Sequence, residues 1–203
     1  MAGRIVVLIS GSGTSMDALA EACSRREVTA DIAAVLADRE CSGLTVARRR
    51  NIPTQVVEPG SFSSRVEWSG VMRDCVAAHE PDLVVCAGFM RVLEPVFVDA
   101  FYGRLINLHP SLLPSFPGAH AVRDALEAGV KVTGATIHFM AHEVDRGPIL
   151  LQEAVRIQPS DSESSLHARI KNIEHRLLPQ ACRLILEGRV QIENRRVGIA
   201  SEA

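Results

Sequence analysis

No apolar run in this 203-residue chain approaches the ~20 residues that a membrane-spanning helix needs. The first residues pass directly into an apolar strand and a glycine loop, without the charged and apolar regions of a secretory signal. A net charge of −2, with both signs interspersed, supplies no basic field for nucleic acid and no polybasic patch for a membrane surface. The five cysteines (Cys23, Cys41, Cys75, Cys86 and Cys182) are odd in number, widely spaced and free of any C-x-x-C pair. That pattern argues against a disulfide framework or a zinc site and for reduced, intracellular thiols. Repeats, low-complexity tracts and internal linkers are also missing, as is the G-x-S-x-G of a serine nucleophile. A soluble, cytoplasmic protein of one domain is expected, since 47% hydrophobic residues suffice for one core.

What the chain does have is centred on residues 104–118, RLINLHPSLLPSFPG. The segment reads as a short buried strand, 104–108, that breaks into a loop stiffened by Pro110, Pro114 and Pro117. Asn107 and His109 are two apart, so on an extended strand both side chains leave one face. One carries an amide N–H donor and the other titrates near neutral pH. Such a pair suits a reaction that builds negative charge on a carbonyl oxygen. It equally suits a hydrogen-bonded core histidine beside an asparagine turn.

The preceding chain alternates strands and helices. Residues 4–9 (RIVVLI) form a β-branched strand of the kind buried on both faces. They run into SGSGTS at 10–15 and a helix at 16–26, a strand–turn–helix unit whose free N–H groups and dipole make an anion site. A dinucleotide fingerprint needs a third glycine where Met16 stands, so a monophosphate fits better than NAD, although Asp38 ends the next strand at the position of a ribose-binding acid. Further strands are expected at 31–38, 54–57 and 82–87, and helices at 43–50 and 65–79. The apolar loop 88–93 closes this half and can hold a flat heterocycle against its main chain. Short, regular connections predict an α/β fold, a doubly wound and mostly parallel sheet. The loops at 10–15 and 88–93 and the Asn107/His109 end then share one sheet edge.

Beyond the proline loop, a helix is expected at 119–128 and strands at 131–140 and 149–157, with Gly134 at a bulge or close approach. These make the C-terminal part of the sheet antiparallel. Asp145, in the tight DRG connection between them, is a candidate partner for a histidine, or simply the turn aspartate. His138 and His142 lack the helical spacing of a zinc pair, and no metal is expected. A long amphipathic helix at 160–187 buries Leu166, Ile170, Ile173, Leu177, Ala181 and Leu184, with Glu174 bordering that stripe and Pro179 expected to kink it. Residues after Val190 give no clear pattern.

Taken together, NLHPSLLP at 107–114, Gly118 and DRGP at 145–148 resemble the folate-dependent formyltransferases, and the likeness runs from about 4 to 188. It is closest to members acting on glycinamide ribonucleotide in purine synthesis. The resemblance implies transfer of a formyl group from 10-formyltetrahydrofolate to that ribonucleotide's amine, with no metal, by a monomer or homodimer. It implies a Rossmann-like domain over 1–203, with a phosphate-binding half at about 1–100 and a catalytic and folate-binding half at about 101–190. The family's catalytic Asn, His and Asp fall on Asn107, His109 and Asp145. Its phosphate loop falls on Gly13, Thr14 and Ser15, where Ser15 replaces the usual Asn. Its folate site falls on Arg65, on Met90, Arg91, Val92 and Leu93, on Asn107, and on Ala141, His142, Glu143, Val144 and Asp145. His142 there replaces a usual acidic residue. The glycinamide and ribose contacts fall on Lys171, Asn172, Ile173 and Glu174.

Three alternatives compete. Formyltetrahydrofolate hydrolase shares the catalytic set but carries an added N-terminal domain, whereas this chain opens at the first strand. The methionyl-tRNA enzyme carries a basic C-terminal barrel, for which nothing after Gly188 reads. A non-catalytic nucleotide-binding module explains 11–15 but leaves Asn107, His109 and Asp145 without a role.

Overall fold

The structure, a computed structural model, describes residues 2–193 and 195–201. Its core is a seven-stranded sheet in the order β3-β2-β1-β4-β5-β6-β7. The strands are β1 (Gly3–Ile9), β2 (Ala30–Ala37), β3 (Thr54–Val56), β4 (Leu83–Cys86), β5 (Leu105–His109), β6 (Val132–Phe139) and β7 (Ile149–Arg156). The first five are parallel, while β6 and β7 each run antiparallel to their neighbour.

Alternation along β1 sorts the two faces. Ile5, Val7 and Ile9 face α1 (Thr14–Ser24), α2 (Ser42–Arg49) and the later helices α5 (Ala121–Glu127) and α6 (Glu163–Leu186). Val6 and Leu8 face α3 (Arg65–Ala77) and the single turn α4 (Pro95–Val98), where Trp68, Met72, Phe97 and Phe101 fill the layer. Each of these fully buried side chains contributes roughly 1.5–3 kcal/mol of transfer free energy, so both faces of β1 are committed to core. Sequence and structure agree on these elements to within a few residues at their ends.

Side-chain caps open two of the helices. Ser64 Oγ accepts from Glu67 N at the start of α3, and Ser162 and Ser165 form a reciprocal box at the start of α6. The α6 stripe is buried as expected, and the helix runs on through Pro179 without a break. Gly134 marks a close approach, since a Cβ there would stand 2.1 Å from the Glu153 carbonyl oxygen; the register shift of β6 lies instead at Ile137/His138. The stretch after Val190, without pattern in the sequence, forms the hairpin β8 (Val190–Glu193) and β9 (Arg196–Ile199). Among the described residues, no helix is long and apolar enough to cross a membrane.

Candidate active site

The carboxyl ends of β1, β4 and β5 open onto two adjoining cavities of about 210 and 180 Å³, which share Met90, Leu108 and Pro110 as a common wall. The loop at 10–15, the loop at 88–93 and the end of β5 therefore do meet at one sheet edge.

The first cavity is built on the glycine loop. Gly11, Ser12, Gly13, Thr14 and Ser15 line one side and His167, Lys171 and Glu174 of α6 the other. Gly13 caps α1 in a left-handed conformation (φ 70°), and a Cβ there would stand 2.7 Å from Gly43 Cα. Only glycine meets both conditions. The first-turn N–H groups of α1 lack intrahelical partners, so the helix presents an anion site. Glu174 is 5% exposed. Burial pushes its carboxyl up to about 7 against the opposing pull of Lys171 and a hydrogen bond with the Ser15 side chain. His167, one helical turn from Lys171, is pushed below its ordinary value by burial and by that lysine, against Glu163.

The second cavity holds the catalytic candidates. Asn107 and His109 come from β5, and Asp145 reaches them from the β6–β7 connection, at a left-handed residue (φ 54°) that Asp tolerates better than most. Gly147 is required nearby because a Cβ would stand 1.7 Å from the Phe139 carbonyl oxygen. Asp145 Oδ2 lies 3.4 Å from His109 Nδ1 and accepts Gly118 N–H at 2.7 Å. Its Oδ1 accepts from Asn107 Nδ2 at 3.3 Å.

Burial pushes the Asp145 carboxyl up, but His138, the His109 charge and Gly118 N–H outweigh it and hold the group at about 2. It is therefore ionised throughout the neutral range. His109 is 3% exposed, and its Nε2 donates to the Phe116 carbonyl at 2.8 Å. Burial lowers its pKa; Asp145 and the Phe116 carbonyl raise it, and burial prevails over both. A carboxylate beside an imidazole lifts it above the free value, but desolvation of the ring is larger here.

The proline loop is pinned as well as stiff. Thr136 Oγ1 donates to the Ser111 carbonyl (2.6 Å) and accepts from Leu113 N (3.2 Å), while Gln152 Nε2 donates to the Leu113 carbonyl at 2.8 Å. Ser111 Oγ donates to the Ser115 carbonyl at 2.6 Å and reaches the Phe116 carbonyl at 3.3 Å, the group that orients His109.

The rest of this cavity is apolar and main-chain. Met90, Arg91, Val92 and Leu93 line it opposite Ala141, His142, Glu143 and Val144. Met90, Val92 and Val144 are 58%, 43% and 50% exposed, an apolar rim of the kind a ligand covers. Among the described residues, the N–H and carbonyl groups of 91–93 have no hydrogen-bond partner. His142, at the mouth, pairs with Asp99 Oδ1 at 2.6 Å.

Not every expected residue arrives. Arg65 pairs with Glu94 and lines neither cavity. Ile173 is a core residue of α6 and Asn172 an exposed one, so of residues 171–174 only Lys171 and Glu174 reach the first cavity. Two residues were missed. His138, 1% exposed on β6, sits opposite Asn107 with Nε2 3.2 Å from its Nδ2. Its position within an alternating strand was the available signal. His167 was legible as the residue four before Lys171 on one helix face.

The family model described as "Formyl transferase" matches residues 3–182. A phosphoribosylglycinamide formyltransferase of Mycobacterium tuberculosis is 48% identical over 88% of this chain and 82% of its own. The solved glycinamide ribonucleotide transformylase 1 of Symbiobacterium toebii superposes with a TM-score of 0.96 at 44% identity, covering 98% and 94% of the two chains. A formyltetrahydrofolate deformylase of Pseudomonas syringae gives 0.91 at 28% identity, over 99% of this chain and 67% of that one.

Proposed function

The chain belongs to the formyl transferase family, and from that premise we propose that it moves the formyl group of 10-formyltetrahydrofolate to the amine of glycinamide ribonucleotide, in the cytoplasm, as a step of purine synthesis. The observation that carries this reading is the shared wall between the cavities. An anion-binding helix terminus opens, across Met90, Leu108 and Pro110, onto an Asn–His–Asp group centred on a buried histidine, under an apolar slot. A phosphorylated amine and a flat formyl donor fit that division.

In this reading the ribonucleotide phosphate takes the N–H groups at Gly13, Thr14 and Ser15, flanked by the Lys171 ammonium and the His167 ring. Glu174 accepts from the sugar or glycinamide end. The donor's heterocycle stacks in the slot, its polar edge meeting the free main-chain groups of 91–93. The amine nitrogen attacks the formyl carbon, and the C=O π pair moves to oxygen. Asn107 Nδ2–H and the Nδ1–H of His109 as imidazolium, Nε2 staying on the Phe116 carbonyl, donate to that oxyanion, each donor contributing ~3 kcal/mol. The developing negative charge offsets the desolvation that depresses the histidine in the resting enzyme, so protonation and oxyanion formation favour each other. Asp145, held ionised, balances the imidazolium and, through water, takes a proton from the attacking amine. The intermediate collapses with cleavage of the bond to folate N10, the oxyanion re-forms its C=O, and N10 gains the proton that Asp145 took from the amine, returned through the same water. No covalent enzyme intermediate is required, and buried thiols such as Cys86, pushed up to about 12, are poor nucleophiles.

Incubation with 10-formyltetrahydrofolate, with and without the ribonucleotide, tests this while folate absorbance is followed. Turnover that requires the ribonucleotide supports it. Equal turnover without the amine selects the hydrolytic reading that the deformylase similarity makes the natural competitor.

A further inference from the structure

Asp38 ends β2 at the place of a ribose-binding acid, yet it lines neither cavity. Its side chain is fully buried, and Oδ2 accepts from Arg91 Nε at 2.7 Å. Oδ1 has no hydrogen bond and only a 3.6 Å approach of Arg39 Nε. A buried carboxylate with one good partner depends on that partner, since loss of either leaves an uncompensated group.

Arg91 belongs to the loop facing the second cavity. Both ends of that loop are tied down. Ser10 donates its N–H to the Gly88 carbonyl (3.1 Å), its Oγ accepts from Met90 N (2.8 Å), and Glu94 N donates to Ser69 Oγ (3.2 Å). Between Met90 and Glu94 no main-chain hydrogen bond to another described residue holds the chain, and the Arg91 side chain is its polar tether to the sheet. We propose that Asp38 is a positioning residue for the folate donor: through Arg91 it fixes residues 91–93 so that their free main-chain groups face the slot. The inference rests on the proposed reading only in naming folate as the ligand. Asp38 thus holds a protein loop where a dinucleotide-binding relative of the fold would hold a ribose.

Asp38→Asn keeps the shape and removes the charge, while Arg91→Gln cuts the same tether from its half-exposed end without opening the core. Calorimetric titration with tetrahydrofolate should show each variant binding roughly tenfold more weakly, the loss typical of one charge-assisted hydrogen bond. KM for the formyl donor should rise in parallel, with the ribonucleotide KM little changed; the melting temperature should hold in Asp38→Asn and fall in Arg91→Gln, which leaves the buried carboxylate without its partner. The double variant should be no worse than the poorer single one, because one tether has been cut twice. Wild-type tetrahydrofolate affinity in Asp38→Asn would overturn the proposal. So would additive losses in the double variant, or a fall in melting temperature with both substrates weakened alike. Absence of ribonucleotide-dependent turnover in the wild type, with the folate effect intact, would instead count against the proposed reaction and leave the tether standing.

Discussion

Asn107 Nδ2 stands 3.2 Å from His138 Nε2 across the β5–β6 pair. The tautomer follows from the other ring nitrogen, 2.9 Å from the Phe139 carbonyl, which can only accept. Nδ1 therefore carries a hydrogen, and in the neutral ring Nε2 accepts one N–H of Asn107, whereas in the imidazolium it donates to Asp145 Oδ1, 3.5 Å away. The second N–H of Asn107 goes to Asp145 Oδ1 at 3.3 Å, the longer and weaker contact, and in the proposed mechanism it is the one a developing oxyanion takes over.

His138→Ala should lower kcat by about ten- to a hundredfold, because it frees the amide to turn its carbonyl toward the oxyanion. The ribonucleotide KM should hardly change, since His138 is not part of the phosphate cavity. Steady-state kinetics with both substrates varied decides it. A variant with wild-type kcat would show that Asn107 is oriented without its partner.

Glu174 sets stability against binding. Its folded pKa of about 7 lies above the ordinary 4.5, so the folded state binds this proton more tightly than the unfolded state does. Wild-type stability should therefore fall as pH rises from about 4.5 to about 7 and then level off. Glu174→Gln escapes that loss: it should be more stable than wild type at pH 8 by on the order of 1–3 kcal/mol and nearly equal at pH 4. Its ribonucleotide KM should rise roughly tenfold. Thermal melts at the two pH values test the sign, and a pH-independent difference would remove Glu174 as its source.

Gly13→Ala meets two obstacles, a left-handed backbone and the Gly43 Cα, so it should displace the loop from its partner as well as strain it. Ribonucleotide affinity should fall at least tenfold and melting temperature should drop. Ser15→Ala should be milder, since on the proposed reading the phosphate takes the backbone N–H; the cost is the lost hydrogen bond to Glu174. Titration with the ribonucleotide separates the two, and equal losses would mean that side chains rather than main chain hold the phosphate.

Much of this was legible because hydrophobic period and turn chemistry are local. Continuous apolar runs at β1 and β4 gave buried parallel strands, and glycine and proline marked the loops at their ends. Asn107 and His109 were legible as a pair because strand geometry alone puts them on one side. The net direction of the His109 pKa was not, since it compares desolvation with a charge from a connection 36 residues away in sequence, and sequence gives no depth of burial. Lys171 and Glu174 were carried over with Asn172 and Ile173 as one block, whereas a helix can turn only some of four successive residues into a cleft. The β8–β9 hairpin escaped because four-residue strands are too short for their alternation to stand out.

Asp145→Asn is the sharpest test of the catalytic reading. Asn tolerates the left-handed backbone at this position, so the variant keeps the turn, and its amide oxygen can still accept Gly118 N–H. Its amide nitrogen then faces Asn107 Nδ2, where the carboxylate had accepted. Loss of the negative charge removes the main influence raising the His109 pKa, while the burial that lowers it remains. A group titrating lower is protonated over a narrower range, so the basic limb of the kcat profile should move to lower pH. At pH 7 kcat should fall by roughly a hundredfold or more, combining a scarcer imidazolium with an unbalanced proton transfer. His109→Ala should lose that limb entirely while still binding tetrahydrofolate, because the slot at 90–93 is untouched. The two losses need not add, since the residues act as one unit. A pH–rate profile of Asp145→Asn that overlays the wild type, at wild-type kcat, would reduce Asp145 to the turn residue between β6 and β7.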